Sequence, residues 1–170
     1  MRSCIEPQCV WIRELGDGET DVLDAVFDGL SPTSRLNRFH GPTPRLTGHI
    51  RARLAAVDGQ AHVAVAAFVG ERPIGIARLV GTGGAHCELA VEVVDAWHHR
   101  GVGSRLVRAV AGLGVAAGFR VVGADVLSAN PAAARLFLTV FPGATVLPDG
   151  AQTRLAAELT AEPDVASRAA

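Results

Sequence analysis

The sequence predicts an α/β (α+β) fold in which a mixed, mostly antiparallel sheet of six to seven strands is flanked by about four helices. Three consecutive extended runs at residues 61–69, 74–80 and 86–94 are joined by short glycine-containing turns, which is typical of an antiparallel meander. A helical run that opens at Arg100 then leads into a strongly apolar run at residues 120–127. A strand, helix, strand order of this length requires a parallel crossover, so one pair of strands in the sheet must be parallel.

The segments before the meander predict one strand and two helices. Residues 9–15 are predicted to form a strand, in which Val10, Ile12 and Leu15 are the apolar positions. A helical pattern follows at residues 20–30, and Ser31-Pro32 is expected to end it. The Arg- and Pro-rich stretch 34–45 is interpreted as a loop or a short helix, and a second helix is expected over residues 47–57.

The segments after the crossover predict a short helix and a last hairpin. Asn130-Pro131 is a helix start, because proline is favoured in the first turn, and the helical pattern runs to Leu138. Residues 144–147 and 152–159 form extended runs on either side of a turn at Pro148-Asp149-Gly150.

Length and composition favour a single domain with a packed core. The chain has 170 residues, of which 49% are hydrophobic and 19% charged. These values predict one domain over residues 1–160, with a flexible tail at 161–170. The net charge of −1 gives no electrostatic footprint for nucleic acid or an anionic membrane. No run reaches the roughly 18 apolar residues of a membrane span and no signal peptide is evident, so a cytoplasmic protein is expected.

Two residue types are absent, and their absence excludes chemistry. The 16 basic residues are all arginine, and the chain contains neither lysine nor tyrosine. A phosphate-binding loop with its lysine, a lysine Schiff base and a tyrosine general acid are therefore impossible. The cysteines, Cys4, Cys9 and Cys87, are odd in number and lack CxxC spacing, and the His86-Cys87 and His98-His99 pairs lack ligand spacing. No metal site is expected, and Cys87 is interpreted as a small apolar strand residue rather than a reactive thiol.

The most informative segment runs from the end of the third meander strand into the next helix. Gly101 and Gly103 stand at the helix start, where unpaired backbone amides and the helix dipole favour an anion. Glycine lets a phosphate approach the main chain closely, and Arg100 and Arg105 add positive charge. The segment therefore predicts a pyrophosphate site. Two other readings stay open: a tight strand-to-helix turn with no ligand, or a plain nucleotide-binding domain, although Leu106 replaces the third glycine of a dinucleotide fingerprint.

Residues 98–103, HHRGVG, resemble the [QR]xxGx[GA] signature of the GCN5-related N-acetyltransferases (GNAT). Asn130 with Ala133 and Leu136 resembles the NxxAxxL run of the same superfamily. The resemblance implies a GNAT fold, with the strands at residues 86–94 and 120–127 splayed around acetyl-CoA. It extends over most of the chain. Further similarities, at residues 31–39, 77–78 and 87–91, point to the catalytic domains of bacterial protein lysine acetyltransferases that modify acyl-CoA synthetases.

The resemblance also implies which residues bind the cofactor. The pyrophosphate would lie on the amides of residues 99–104, the pantetheine amides would pair with the backbone of Val91 and Val93, and Asn130 would bind the pantetheine arm from the other side. His98 departs from the signature, and its contribution is expected to come mostly through its backbone. The implied cofactor-binding residues are Val91, Val93, His98, His99, Arg100, Gly101, Val102, Gly103, Ser104, Asn130 and Phe137.

Acetyl transfer to an amine needs a base, an oxyanion donor and a proton for the leaving thiolate. Glu88 is the first choice for the base, because the resemblance places the base of the protein-acetylating subfamily there. Glu92 and Asp125 are the rivals. The oxyanion donor is expected to be the amide of Val93 or Val94. Phe137 occupies the position where many members of the superfamily have a tyrosine acid, so the thiolate would take its proton from water or from the amine.

The expected activity is acetyl transfer from acetyl-CoA to a primary amine, either a protein lysine or a small molecule. An acyl-CoA synthetase is one possible protein partner, and the enzyme would be a monomer or a homodimer. The alternative is a coenzyme A-binding sensor, or pseudoenzyme, without acyl transfer, which Phe137 would favour. The cations Arg35, Arg38 and Arg45 have two open readings: recognition of an acidic substrate surface, or simple solvation.

Overall fold

The computed structural model describes residues 9–160, which form one seven-stranded sheet flanked by five helices. The strands are β1 (Val10–Glu14), β2 (His62–Val69), β3 (Arg72–Gly83), β4 (His86–Val93), β5 (Val121–Leu127), β6 (Thr145–Asp149) and β7 (Gln152–Glu158). The helices are α1 (Thr20–Asp28), α2 (Pro32–Phe39), α3 (Gly48–Ala55), α4 (Val102–Ala116) and α5 (Pro131–Val140). The strand order is β1-β2-β3-β4-β5-β7-β6, and only β4 and β5 pair in parallel. The predicted fold class is confirmed, while the tail expected at 161–170 lies outside the described residues.

The meander is as predicted, but its middle strand is longer than expected. β3 begins at Arg72, so Pro73 belongs to the strand and not to the turn. The register between β2 and β3 shifts at Ala67 and Phe68, opposite Pro73. Proline has no N–H to donate to the ladder, and a bulge is where a sheet tolerates it. The last hairpin differs in the same way, because Pro148 lies within the edge strand β6.

Ser31-Pro32 begins a helix instead of ending one. Helix α1 already ends at Asp28. The hydroxyl of Ser31 then accepts a hydrogen bond from the amide of Ser34 at 3.1 Å, and Pro32 takes the first position of α2. Both features are typical of a helix N-terminus, so the stretch 34–45, for which a loop or a short helix is expected, is half helical.

No helix within residues 9–160 has the length and apolar character needed to cross a membrane.

The α1–α2 corner packs against the end of β4. A Cβ atom at Gly29 would lie 2.7 Å from Cγ2 of Val94, so the corner approaches the strand more closely than any side chain would allow. The amide of Ser31 donates to the carboxylate of Asp95 at 3.1 Å. These contacts place α2 beside the last residues of β4.

Helix α4 packs closely on the opposite face of the sheet. Two of its glycines, Gly112 and Gly114, differ in the space around them. A Cβ at Gly114 would lie 2.4 Å from Cδ1 of Leu79, a fully buried side chain of β3. A Cβ at Gly112 would meet nothing within 4 Å. The glycine at 114 therefore permits close packing, whereas the one at 112 only weakens the helix.

Alanine substitutions at these two glycines should have opposite effects. Gly112→Ala should raise the free energy of unfolding by about 1 kcal/mol, because alanine is the better helix former. Gly114→Ala should lower it by about 1 to 3 kcal/mol, because the new methyl group overpacks the core. Urea unfolding of both variants checks the pair. Equal shifts of the same sign would contradict the packing described for α4.

A buried histidine lies beneath α3, at the start of β2. His62 is 7% exposed, and its Nδ1 lies 2.8 Å from the carbonyl oxygen of Ala56, to which the ring N–H donates. Its Nε2 is buried and has no hydrogen-bond partner within residues 9–160. Burial lowers the pKa of His62 below its ordinary value of 6.5, and the positive charge of Arg78 lowers it further, although Asp58 and the Ala56 carbonyl oppose the shift.

This histidine should make the protein less stable in mild acid. Because its pKa is lower in the folded state, the unfolded chain binds the proton first, and stability falls as the pH drops below about 6.5. The loss levels off once the pH is below the folded-state pKa. Melting temperatures of the wild type and His62→Asn between pH 7.5 and 5.5 check this, and the variant should show the shallower decline. Parallel curves would contradict it.

Candidate active site

The centre of the sheet opens where its two parallel strands separate. β4 and β5 pair only over His86–Glu88 and Val121–Gly123. β5 continues to pair with β7 as far as Leu127, so β5 remains part of the sheet beyond the point where it separates from β4. A cleft of about 900 Å³ opens at this point, lined by both strands and by α2, α4 and α5. The expected splay of the two strands is therefore present.

One end of the cleft is the N-terminus of α4. His99 and Gly101 have φ values of 58° and 75°, which turn the chain sharply into the helix. The amide of Arg105 donates to the carbonyl of Gly101 at 3.2 Å. Within the described residues, the amides of 99–104 have no backbone acceptor, as is usual for the first turn of a helix. They are thus available to an anion in the cleft.

The end of β4 supplies further backbone groups. The amide of Val94 donates to the carbonyl of Ile74 on β3 at 2.9 Å. Because backbone groups alternate in direction along a strand, those of Val91 and Val93 are directed towards the gap. Val94 is therefore not available as an oxyanion donor, which corrects one of the two assignments, and Val93 is left. The Nε2 of His98 lies 2.7 Å from the carbonyl oxygen of Val93, so His98 contributes its ring and not only its backbone.

The opposite wall is formed by α5. The side chain of Asn130 accepts a hydrogen bond from the amide of Ala133 at 3.4 Å and so caps the helix with its oxygen, which leaves its NH₂ group for a ligand. Phe137 is 2% exposed and reaches the cleft from the core. Leu136 lies so close to α4 that a Cβ at Gly103 would be 3.1 Å from its Cδ2. A larger residue at position 103 would therefore require the Leu136 side chain to move by a few tenths of an ångström.

The three candidate carboxylates line the cleft but differ in their partners. Glu88 is exposed and is the last residue of β4 that pairs with β5, and no described side chain bonds to it. Asp125 pairs with Arg154, with an Oδ1–Nε distance of 3.3 Å, at the surface. Glu92 is buried, and its two oxygens accept from Arg38 and Arg78. Burial would raise the pKa of Glu92, but the two guanidinium groups outweigh it and hold the pKa below its usual value.

Helix α2 is a cleft wall that the sequence did not reveal. Asn37 and Arg38 reach the cleft from this helix, and His40 reaches it from the position immediately after the helix. The three arginines at positions 35, 38 and 45 were expected either to recognise an acidic substrate surface or to be solvated, and Arg35 does neither. It donates to the carbonyls of Pro44 and Phe27, and its guanidinium lies 4.1 Å from the Phe27 ring centroid. Arg38 pairs with Glu92, and Arg45 is exposed. The Ser31-Pro32 start signal was the feature that could have indicated this helix.

The remaining candidates for chemistry have structural roles. Cys87 is buried, and burial raises the pKa of its thiol to about 11, so it is an apolar strand residue as predicted. Trp97 packs against two clusters of buried apolar side chains, one that includes Leu106 and one that includes Val26, and it has the Arg100 guanidinium 5.0 Å from its ring. Among residues 9–160, no three His, Cys, Asp or Glu side chains are arranged to hold a metal ion.

Comparison with known families agrees with this geometry. The model described as "Acetyltransferase (GNAT) family" matches residues 24–140. No curated protein matches the chain.

Solved structures resemble the chain over most of its length. The GNAT domain of S. lividans PAT is 28% identical, with 87% of this chain and 89% of that chain covered and a TM-score of 0.80. The yncA protein of Salmonella typhimurium, solved with its cofactor acetyl-CoA, is 18% identical, with coverages of 92% and 98% and a TM-score of 0.71. Spermidine N-acetyltransferase from Vibrio cholerae, in complex with CoA and spermine, is 12% identical, with coverages of 88% and 95% and a TM-score of 0.67. The last two likenesses show the fold alone.

Proposed function

Because this chain belongs to the acetyltransferase (GNAT) family and is an N-acetyltransferase, we propose that it transfers the acetyl group of acetyl-CoA to a primary amine in the cleft between β4 and β5. The observation that carries the proposal is the end of β4–β5 pairing at Glu88 and Gly123, which opens a cleft leading to the free amides of α4. The bound acetyl-CoA in yncA and the CoA in the Vibrio enzyme support the choice of cofactor.

The cleft residues fit the chemistry of coenzyme A. The amides of residues 99–104 would receive the pyrophosphate, with the dipole of α4 favouring its charge. The backbone of Val91 and Val93 would pair with the amides of the pantetheine arm, and the NH₂ group of Asn130 would meet that arm from the α5 side. The carbonyl oxygen of Val93 already lies 2.7 Å from the Nε2 of His98, and its second lone pair could accept a hydrogen bond from the cofactor.

Glu88 is our choice for the general base. An alkylamine is mostly protonated at neutral pH, so a carboxylate or a water held by it must remove a proton before attack. Of the three candidates, Glu88 alone has no partner among the described residues, whereas Glu92 is occupied by two arginines. The thiolate would take its proton from water or from the amine, since Phe137 has none to give.

Calorimetry and a thiol-release assay test the proposal in sequence. Acetyl-CoA and coenzyme A should bind saturably, whereas ATP and NAD should not. With a panel of amines and lysine-containing proteins, thiol release should depend on the amine. Binding without amine-dependent release would favour the coenzyme A sensor, and binding of ATP in place of acetyl-CoA would favour a plain nucleotide-binding domain.

A further inference from the structure

Three charged side chains from three elements meet in the wall of the cleft. Arg78 of β3, Glu92 of β4 and Arg38 of α2 form one ion-paired group, with side-chain exposures of 2%, 4% and 14%. Two cations and one anion leave this group with one net positive charge. Removing a net charge from water is costly unless another group compensates it. The group therefore favours an additional anion wherever the cleft can reach it.

Arg38 is the member of the group that the cleft reaches. It lines the cleft, whereas Arg78 does not and instead donates to the carbonyl of Leu54 inside the protein. Arg38 uses its Nε for Glu92. Its two terminal nitrogens form no hydrogen bond within residues 9–160, and they offer the paired donors that suit a carboxylate.

We propose that the outer edge of Arg38 binds a carboxylate of the acceptor, and that the acceptor is a protein lysine with acidic residues a few positions away. This rests on the proposed function, because it places the acceptor in the same cleft. The proposal makes Arg38 a specificity residue for the amine substrate.

The spacing along β4 selects this class of acceptor. Glu88 and Glu92 are four residues apart, which corresponds to about 13 Å along a strand. A reacting amine at Glu88 and a carboxylate at Arg38 are thus separated by a distance of that order. The α-amine and α-carboxylate of one amino acid are too close together to reach both. A lysine side chain and a glutamate two to four positions away span this distance.

Two blocked peptides test the proposal. One has a single lysine flanked on each side by three glutamates, and the other has glutamines in their place. The wild type should acetylate the glutamate peptide with a kcat/KM about tenfold higher, mainly through a lower KM. Arg38→Gln should lose this preference, while Arg38→Lys, which keeps the charge but not the paired donors, should retain part of it. Arg53→Gln, which removes an exposed cation outside the cleft lining, is the matched control and should keep the preference.

Several outcomes would overturn the assignment. If Arg38→Gln still prefers the glutamate peptide, Arg38 does not bind the acceptor carboxylate. If Arg38→Gln loses the same fraction of kcat/KM with both peptides, the role of Arg38 is purely structural. A weaker affinity of Arg38→Gln for acetyl-CoA would place the anion on the cofactor. If neither peptide is acetylated, the proposed function fails for lysine peptides. Calorimetry in the presence of coenzyme A then tests the binding of the acceptor carboxylate at Arg38 separately from the activity. The glutamate peptide should then bind about tenfold more tightly to the wild type and equally with its counterpart to Arg38→Gln.

Discussion

Replacing Glu88 with glutamine should lower kcat by roughly a hundredfold to ten-thousandfold, while the Kd for acetyl-CoA stays unchanged. Glutamine keeps the size and most of the polarity of the side chain but cannot accept the proton of the amine. The residue stands exposed where β4 and β5 part and bonds to no described side chain, so the fold should not depend on its charge. Steady-state kinetics with a fixed amine acceptor, together with calorimetry for acetyl-CoA, measure the two quantities.

The deficit should shrink as the pH rises, because the amine then loses its proton without help. Asp125→Asn is the matched control: it removes a carboxylate from the same cleft, but one already paired with Arg154. Its kcat should change by less than about tenfold. If Asp125→Asn is severely impaired and Glu88→Gln is not, the base is Asp125.

Replacing Gly103 with glutamate should weaken acetyl-CoA binding by roughly a hundredfold or more. The new carboxylate would stand among the amides that are to receive the pyrophosphate, and its like charge would repel the phosphates. The added Cβ would also press on Leu136, whose Cδ2 would be 3.1 Å away. Calorimetric titration with acetyl-CoA gives the change in Kd.

Gly112→Glu is the control for this change, since it introduces the same side chain on the same helix. A Cβ at this exposed site meets nothing within 4 Å. Its affinity for acetyl-CoA should equal that of the wild type, and circular dichroism of both variants checks that α4 remains folded. Unchanged affinity in Gly103→Glu would mean that the cofactor phosphates bind elsewhere.

The parts of the site that were predictable from the sequence are local in the chain. A strand, a glycine turn and a helix follow one another within residues 86–116, and each has its own periodicity, so their order alone indicated free amides at a helix start. The N-cap of α5 was predictable for the same reason, because Asn130 and Pro131 are adjacent to the helix that they begin. The subtler effect, that Gly114 permits close packing while Gly112 does not, depends on which face of α4 meets the sheet.

The parts that were missed depend on residues far apart in the sequence. Arg38 and Glu92 are 54 positions apart, and no pattern in either segment shows that one lies over the other. The same is true of the Val94 amide, which is taken by Ile74 on the neighbouring strand. Ser31-Pro32 is ambiguous without tertiary context, since proline both follows one helix and begins another.

The central claim is that coenzyme A binds in the cleft between β4 and β5, and a crystal structure of the protein with coenzyme A tests it most directly. We expect the pyrophosphate on the amides of residues 99–104, the pantetheine between β4 and β5, and the thiol near Glu88. Coenzyme A bound outside this cleft, or a thiol directed away from Glu88, would contradict the account.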